Sequence, residues 1–221
     1  MRVISRKRLL FFAGRHEDAY KALDAWYRIA KSAEWQNFSE VRETFKSADV
    51  AGRFTIFNIK GNHYRLIVDI QYRQQRNTIR MSGSAIPIID RESYSSVLAN
   101  YLPCPIRTEA DNERALSQVE ALMSQGSLTA AETDLLELLI QLVEHFEAEH
   151  YAFSTENQAT SLEMLLFLME SNCLEEADLV GVIGSSDIVS EVLEGKRRIN
   201  RRMAIALSKQ FKVDAGLFLI Y

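Results

Sequence analysis

The sequence predicts two architectures in succession: an α+β unit over residues 1–81, helices first and then a three-stranded antiparallel sheet, followed by an all-α unit. Three observations carry this. The hydrophobic period changes from helical to alternating near Arg53, a small-residue break at Ser82-Gly83-Ser84-Ala85 followed by Pro87 ends the alternating stretch, and the charge reverses across that break. Residues 1–83 hold 16 Lys and Arg against 8 Asp and Glu, and the remainder holds 10 against 22, so the net charge of −4 combines about +8 with about −12.

Each element follows from its local pattern. From His16 to Trp35, the positions Ala19, Ala22, Leu23, Trp26, Ile29, Ala30 and Ala33 recur at three- and four-residue spacing, one apolar face of an amphipathic helix. A shorter helix is predicted over Ser39 to Ala48, with the Ser39 hydroxyl as its cap. Phe54, Ile56 and Asn58 then alternate with Thr55, Phe57 and Ile59, a largely buried strand. After the turn Lys60-Gly61-Asn62, the residues Tyr64, Leu66, Val68, Ile70 and Tyr72 take one face and Arg65, Asp69 and Gln71 the other, which makes a hairpin. Thr78 to Met81 reads as the third strand. Beyond the break the periods are helical at Thr108 to Met123, Thr129 to His150 and Ser161 to Ser171. Four further segments follow: Glu175 to Ile183, Asp187 to Leu193, Asn200 to Phe211 and Ala215 to Leu219.

Composition narrows the function classes. With 47% hydrophobic and 25% charged residues the chain carries enough apolar material for a core, which excludes wholesale disorder. No apolar run approaches the roughly 20 residues of a membrane helix, and Gly14-Arg15-His16 interrupts the apolar patch Leu9 to Ala13, so no membrane or export role is expected. Cys104 and Cys173 have no His at ligand spacing, so neither a zinc site nor a disulfide framework is predicted, and a reducing, cytoplasmic setting follows. Nothing calls for a cofactor.

The most specific organisation lies near the C-terminus. Two short helices joined by the Gly184-Ser185-Ser186 turn, within a bundle of about five, have the layout of a helix-turn-helix, with Ile188, Val189, Val192 and Leu193 inward and Ser186, Asp187, Ser190 and Glu191 outward. The run Ile183-Gly184-Ser185-Ser186-Asp187-Ile188-Val189-Ser190-Glu191-Val192-Leu193-Glu194-Gly195-Lys196-Arg197 resembles the helix-turn-helix of the HigA antitoxins, of the Xre/lambda-repressor class, and Pro105 to Asp111 resembles the start of their N-terminal helices. The resemblance implies a homodimer that binds operator DNA and represses transcription. Ser185, Ser186 and Ser190 are then the candidates for base contact and Lys196, Arg197 and Arg198 for phosphate contact, although Asp187, Glu191 and Glu194 on the same helix repel phosphate.

In the first half, Ala25 to Lys31, Phe57 to Leu66 and Ile79-Arg80 resemble the HigB toxins, RelE-like messenger-RNA interferases that act at the ribosome; the resemblance runs from about Arg2 to Met81. Cleavage of RNA through its 2′-hydroxyl needs a base, cations near the phosphate and an acid, with no metal ion. Arg65 and Arg80 are assigned to phosphate stabilisation, Lys60 and Lys31 to the RNA backbone, and Asn58, Asn62 and Tyr64 to positioning. Trp26 and Tyr27 are open to core packing or to base stacking, and His63 to a solvated turn or a general base. The family's Gly-Thr-His segment is missing after Arg80, with only Asp90 and Tyr94 nearby, which implies an impaired nuclease, since a lost acid or base commonly costs about 10²–10⁴ in rate.

Together these readings describe a fused toxin–antitoxin protein: a toxin-like domain over 1–81, a junction over 82–104, antitoxin helices over 105–160 and a helix-turn-helix domain over 161–221. The acidic stretch Glu109 to Glu156, with Glu144, Glu147 and Glu149, is the expected contact for the basic half, within one chain or between two. Two alternatives are an active ribosome-dependent endoribonuclease and a transcription regulator with an inert RelE-like domain.

Overall fold

Helix α1 (Arg6–Arg15) opens the computed structural model, which describes residues 6–61, 63–70, 72, 90–125, 127–151 and 158–219. The chain divides into two units, one of Met1–Val3, Leu10–Asn77 and Phe153–Tyr221, the other of Ile4–Leu9 and Thr78–Ala152. The C-terminal helices therefore group with the N-terminal α+β elements rather than with the helices that precede them.

In the first unit a 3-10 turn (Glu17–Ala19) leads into α2 (Tyr20–Ser32), whose Leu23, Trp26, Ile29 and Ala30 are buried as the spacing predicts. Helix α3 (Phe38–Thr44) is capped by Asn37 and not by Ser39, because the Asn37 side-chain oxygen accepts the Glu40 N–H at 3.1 Å and starts the helix one residue earlier. The helix also stops short of Ala48, and Asp49–Ala51 forms strand β1. Strands β2 (Phe54–Ile59) and β3 (Tyr64–Asp69) complete an antiparallel sheet in the order β1-β2-β3. Among the described residues the sheet has three strands, with β1, which the sequence reading did not predict, at one edge; the predicted strand Thr78 to Met81 lies outside the described residues. Pairing runs Phe57 to Leu66, Asn58 to Arg65 and Ile59 to Tyr64.

Strand alternation puts Thr55, Phe57 and Ile59 on the buried face. Phe57 meets Trp26 edge-on at 5.4 Å and Phe45 at 5.2 Å, Trp35 meets Phe45 at 5.9 Å, and Phe45 meets Phe167 at 6.0 Å. Phe167 belongs to α7 (Ser161–Ser171), so the aromatic core of the sheet is shared with a helix more than a hundred residues away in sequence. Polar groups repeat the link. The Asp24 carboxylate accepts the Ala159 N–H at 2.7 Å, Arg28 donates to the Ala159 carbonyl at 3.1 Å, the Ser47 N–H donates to the Ser171 carbonyl at 3.1 Å, and Lys21 pairs with Glu163 at 2.5 Å.

Asp24 is 1% exposed, and burial pushes its carboxyl above the usual aspartate range against the opposing pull of the Ala159 N–H and Arg28. The folded chain then holds this proton more tightly than the unfolded chain. The contribution of Asp24 to stability therefore falls as pH rises from about 4 through the raised folded value, and is level above it. Asp24→Asn keeps an oxygen for the Ala159 N–H and is expected to remove that slope, read by thermal melts of both proteins across mildly acid pH.

The remaining helices of this unit are α8 (Glu176–Leu179), α9 (Ser186–Leu193), α10 (Arg201–Phe211) and a 3-10 turn (Ala215–Phe218). Helix α8 ends well before the expected Ile183, because Val180 is extended and bridges to Gly184. Gly184 is required there: a Cβ on it would lie 2.8 Å from Ile188 Cγ2. On α9, Val189 and Val192 are buried, while Ile188 and Leu193 are half-buried.

The second unit contains α4 (Arg91–Tyr101), α5 (Glu109–Met123) and α6 (Ala130–His150). The stretch expected as a junction, 82–104, thus includes an 11-residue helix whose N-cap is Asp90. Thr108 with Asp111 and Thr129 with Glu132 form capping boxes, which fix where α5 and α6 begin. Between them Val119, Leu122, Leu135, Leu136, Leu139 and Ile140 make a core. The first residues of α1 join this unit through charge: the Arg6 N–H donates to Glu147 at 2.8 Å, Lys7 pairs with Glu113 at 2.6 Å and Glu109 at 3.1 Å, and Arg8 pairs with Glu120 at 2.7 Å. Among the described residues no helix is long and apolar enough to cross a membrane.

Candidate functional site

The β2–β3 hairpin sets the geometry of the candidate site. Four residues, 60–63, connect Ile59 to its partner Tyr64, with the His63 N–H closing on the Lys60 carbonyl at 3.0 Å. Lys60 and Gly61 both take left-handed conformations, φ 52° and 56°. The positive φ of Gly61 is what favours glycine there, since the atom a Cβ would crowd, Glu170 Oε1 at 2.9 Å, is the end of a flexible side chain.

Alternation across the hairpin separates two groups of candidate residues. Arg65 lies opposite Asn58 on the outward face and is exposed, and its side chain makes no ion pair or hydrogen bond with another described residue. Asn58 itself donates to the Ser47 carbonyl at 3.4 Å, a tie to the loop before β1. Tyr64 is on the other face. Its hydroxyl donates to the Asp18 carboxylate, 3.1 Å from Oδ1 and 3.3 Å from Oδ2, and lies 3.5 Å from His16 Nδ1. Lys60 Nζ is 2.5 Å from Asp18 Oδ2. Phe12 covers the imidazole, with ring centroids 4.4 Å apart, and meets Tyr64 edge-on at 5.3 Å.

Phe12, His16, Asp18, Lys60 and Tyr64 thus form one connected cluster beside the hairpin. The Lys60 ammonium, helped by the Tyr64 hydroxyl, holds Asp18 below the usual carboxylate range against its partial desolvation, and desolvation followed by the Asp18 charge pushes the Tyr64 phenol up. Asp18 therefore stays ionised and Tyr64 stays protonated at neutral pH.

Other predicted residues fall as follows. His63 is exposed on the turn, and Lys31 is exposed at the end of α2 with its ammonium 5.9 Å from the Tyr27 ring. Trp26 and Tyr27 are 2% and 7% exposed, which makes them core and removes base stacking as their role. Asn62 and Arg80 lie outside the described residues. His16 and Asp18 were not singled out by sequence reasoning. Their only sequence signal is position, immediately before an amphipathic helix, and nothing local ties them to a hairpin more than 40 residues on.

In the C-terminal helices Ser185 is the residue before α9, Ser186 is exposed and Ser190 half-buried. Lys196 pairs with Glu194 and Arg197 with Glu191, both at 2.5 Å, so two expected phosphate contacts are held by neighbouring acids. Arg198, Arg201 and Arg202 are exposed and make no ion pair with another described residue. Among the described residues no three His, Cys, Asp or Glu side chains group as metal ligands.

Residues 19–84 match the family model of the HigB toxin, the RelE-like toxic component of a toxin–antitoxin system. No curated protein matches the chain. The matched stretch runs from the start of α2 through the hairpin and lies almost wholly within the basic half.

Proposed function

We propose that this chain carries both partners of a toxin–antitoxin pair: a RelE-like part that acts on messenger RNA at the ribosome, and an acidic helical part, similar to HigA, that restrains it and binds operator DNA as a dimer. The observation that carries the reading is the family match over 19–84, coincident with the basic stretch whose hairpin presents an exposed Arg65 with no ion pair among the described residues. In this reading Arg65 and Arg80 are assigned to the phosphate charge, Lys60 and Lys31 to the RNA backbone, and Asn58 and Asn62 to positioning. The chemistry is slow, because the strand-borne imidazole of the family is missing.

The restraining half is supported by charge. Glu109, Glu113, Glu120 and Glu147 on α5 and α6 already engage Arg6, Lys7 and Arg8, within the acidic stretch expected to meet the basic one. For DNA, α7 to α10 supply the helix pair, and Arg198, Arg201 and Arg202 serve as phosphate anchors ahead of the ion-paired Lys196 and Arg197.

Purified full-length protein added to translating ribosomes is expected to cleave messenger RNA slowly, and Arg65→Ala to abolish the cleavage without changing the thermal melt. Cleavage unaffected by Arg65→Ala overturns the assignment. Operator binding is expected to fall steeply with salt, with Arg198→Ala lowering the salt slope by about 1 and Arg197→Ala changing it less.

A further inference from the structure

We propose that the outward face of the sheet is a platform for the bases of single-stranded RNA, with Phe54 as its stacking residue; this rests on the RNA-directed reading of residues 19–84 and adds to it the part of the substrate that is held. An antiparallel sheet packed on one side normally gives its other side to polar residues. Here that side carries Phe54 and Ile56 on β2 and Ile67 on β3, and Phe54 is 38% and Ile67 62% exposed. Ile56 pairs directly with Ile67, and Phe54 stands in the next row opposite Asp69, so the three apolar side chains form one patch rather than scattered positions.

Cations border the patch. Arg65 stands in the row before Ile67, on the same face, and its side chain makes no ion pair with another described residue. Arg53 places its guanidinium 5.0 Å from the centre of the Phe54 ring. An aromatic ring beside arginines is what single-stranded nucleic acid needs, base on ring and phosphate on guanidinium, and it is tolerant of base identity because every base has a π-face. Two acids share the face. Asp69 is held by Arg53 at 3.4 Å, and Asp49, exposed on β1 opposite Ile56, accepts the Val50 N–H at 2.8 Å. Their charge repels phosphate, which leaves the end of the hairpin face at Arg65 as the phosphate position and the apolar rows beyond it for bases.

Spacing selects the state of the strand. Rows on one face lie two residues apart, about 6.8 Å, which is twice the roughly 3.4 Å between stacked bases along one strand of a duplex. Bases still stacked on one another cannot meet successive rows, whereas those of an unstacked strand can. The Phe54 row is the second beyond the Arg65 row, so one short single strand reaches both residues.

The test uses the full chain and three 2′-O-methyl RNA probes of equal length, which resist cleavage: a complete single strand, the same strand with abasic sugars, and a duplex. Phe54→Ala is expected to weaken binding of the complete strand about tenfold and to leave the abasic strand unchanged. Its salt slope should stay at the wild-type value, because no phosphate contact is lost, whereas Arg65→Ala should lower the slope by about 1 on both strands. Phe54→Leu keeps an apolar side chain on β2 and removes the ring; it is expected to behave as Phe54→Ala and carries the test if that variant does not fold, while Phe54→Trp should retain wild-type affinity. Wild-type affinity in both Phe54→Ala and Phe54→Leu overturns the proposal, as do equal losses on complete and abasic strands, or a duplex bound as tightly as the single strand. Self-association in sedimentation that these variants abolish while RNA binding is intact assigns the patch to a second copy and overturns it too. In each of these cases binding that still depends on Arg65 leaves the RNA-directed reading standing; a wild-type chain that binds none of the probes overturns both.

Discussion

Phe57→Ala is expected to destabilise the first unit by about 3–5 kcal/mol, the cost of removing a buried aromatic side chain and leaving a cavity. Phe57 is 1% exposed, and its ring is bounded by Trp26, Trp35 and Phe45 with centroids 5.2 to 6.5 Å away. Phe45 cannot close the gap without breaking its own edge-on contacts with Trp35 and Phe167. Urea unfolding followed by tryptophan fluorescence reads this directly, because the two tryptophans of the chain, Trp26 and Trp35, both belong to this core.

Asn172→Ala is expected to cost about 2–3 kcal/mol in the same measurement, although Asn172 lies far from both tryptophans in sequence. Its amide donates to the Thr44 carbonyl at 2.9 Å and the Leu168 carbonyl at 2.7 Å, and its oxygen accepts the Lys46 N–H at 3.2 Å. Truncation leaves the Thr44 carbonyl, in a fully buried residue, without this partner, and a buried polar group so orphaned costs about 1–3 kcal/mol on its own. A surface asparagine would cost far less, so the size of the loss reports whether α7 is seated on α3 and the loop after it.

Local pattern made much of this fold legible. The apolar face of α2, the hairpin and the extents of α5, α6, α7, α9 and α10 follow from periodicity, and they agree with the structure to within a residue or so. What was not legible shares a physical cause. Helix α1 is basic in its first turn and includes Gly14, strand β1 is three residues long, and α4 has a weak apolar stripe; each is stabilised by contacts its own sequence does not announce. The grouping of residues 153–221 with 10–77 depends on single side chains such as Asn172 and Asp24 that meet partners over a hundred positions away.

The candidate site follows the same rule. Lys60, Tyr64 and Arg65 could be named from the hairpin, but alternation sends Arg65 to one face and Tyr64 to the other, and only the fold supplies His16 and Asp18 to the second. The basic character of the first half predicted an RNA-facing surface. It did not predict that Lys60 would be held by a carboxylate from the 3-10 turn before α2, which lowers the free charge of the hairpin turn.

The aromatic core of the three-stranded sheet is completed by the chain's own C-terminal helices. The most direct test of that completion is the tryptophan-reported urea transition of Phe211→Ala, a substitution in α10 at a residue 1% exposed. Completion of one core predicts that the midpoint reported by Trp26 and Trp35 falls with this change, together with the helical signal of the unit, in a single transition. A tryptophan transition that stays at the wild-type midpoint while α10 is lost would contradict it.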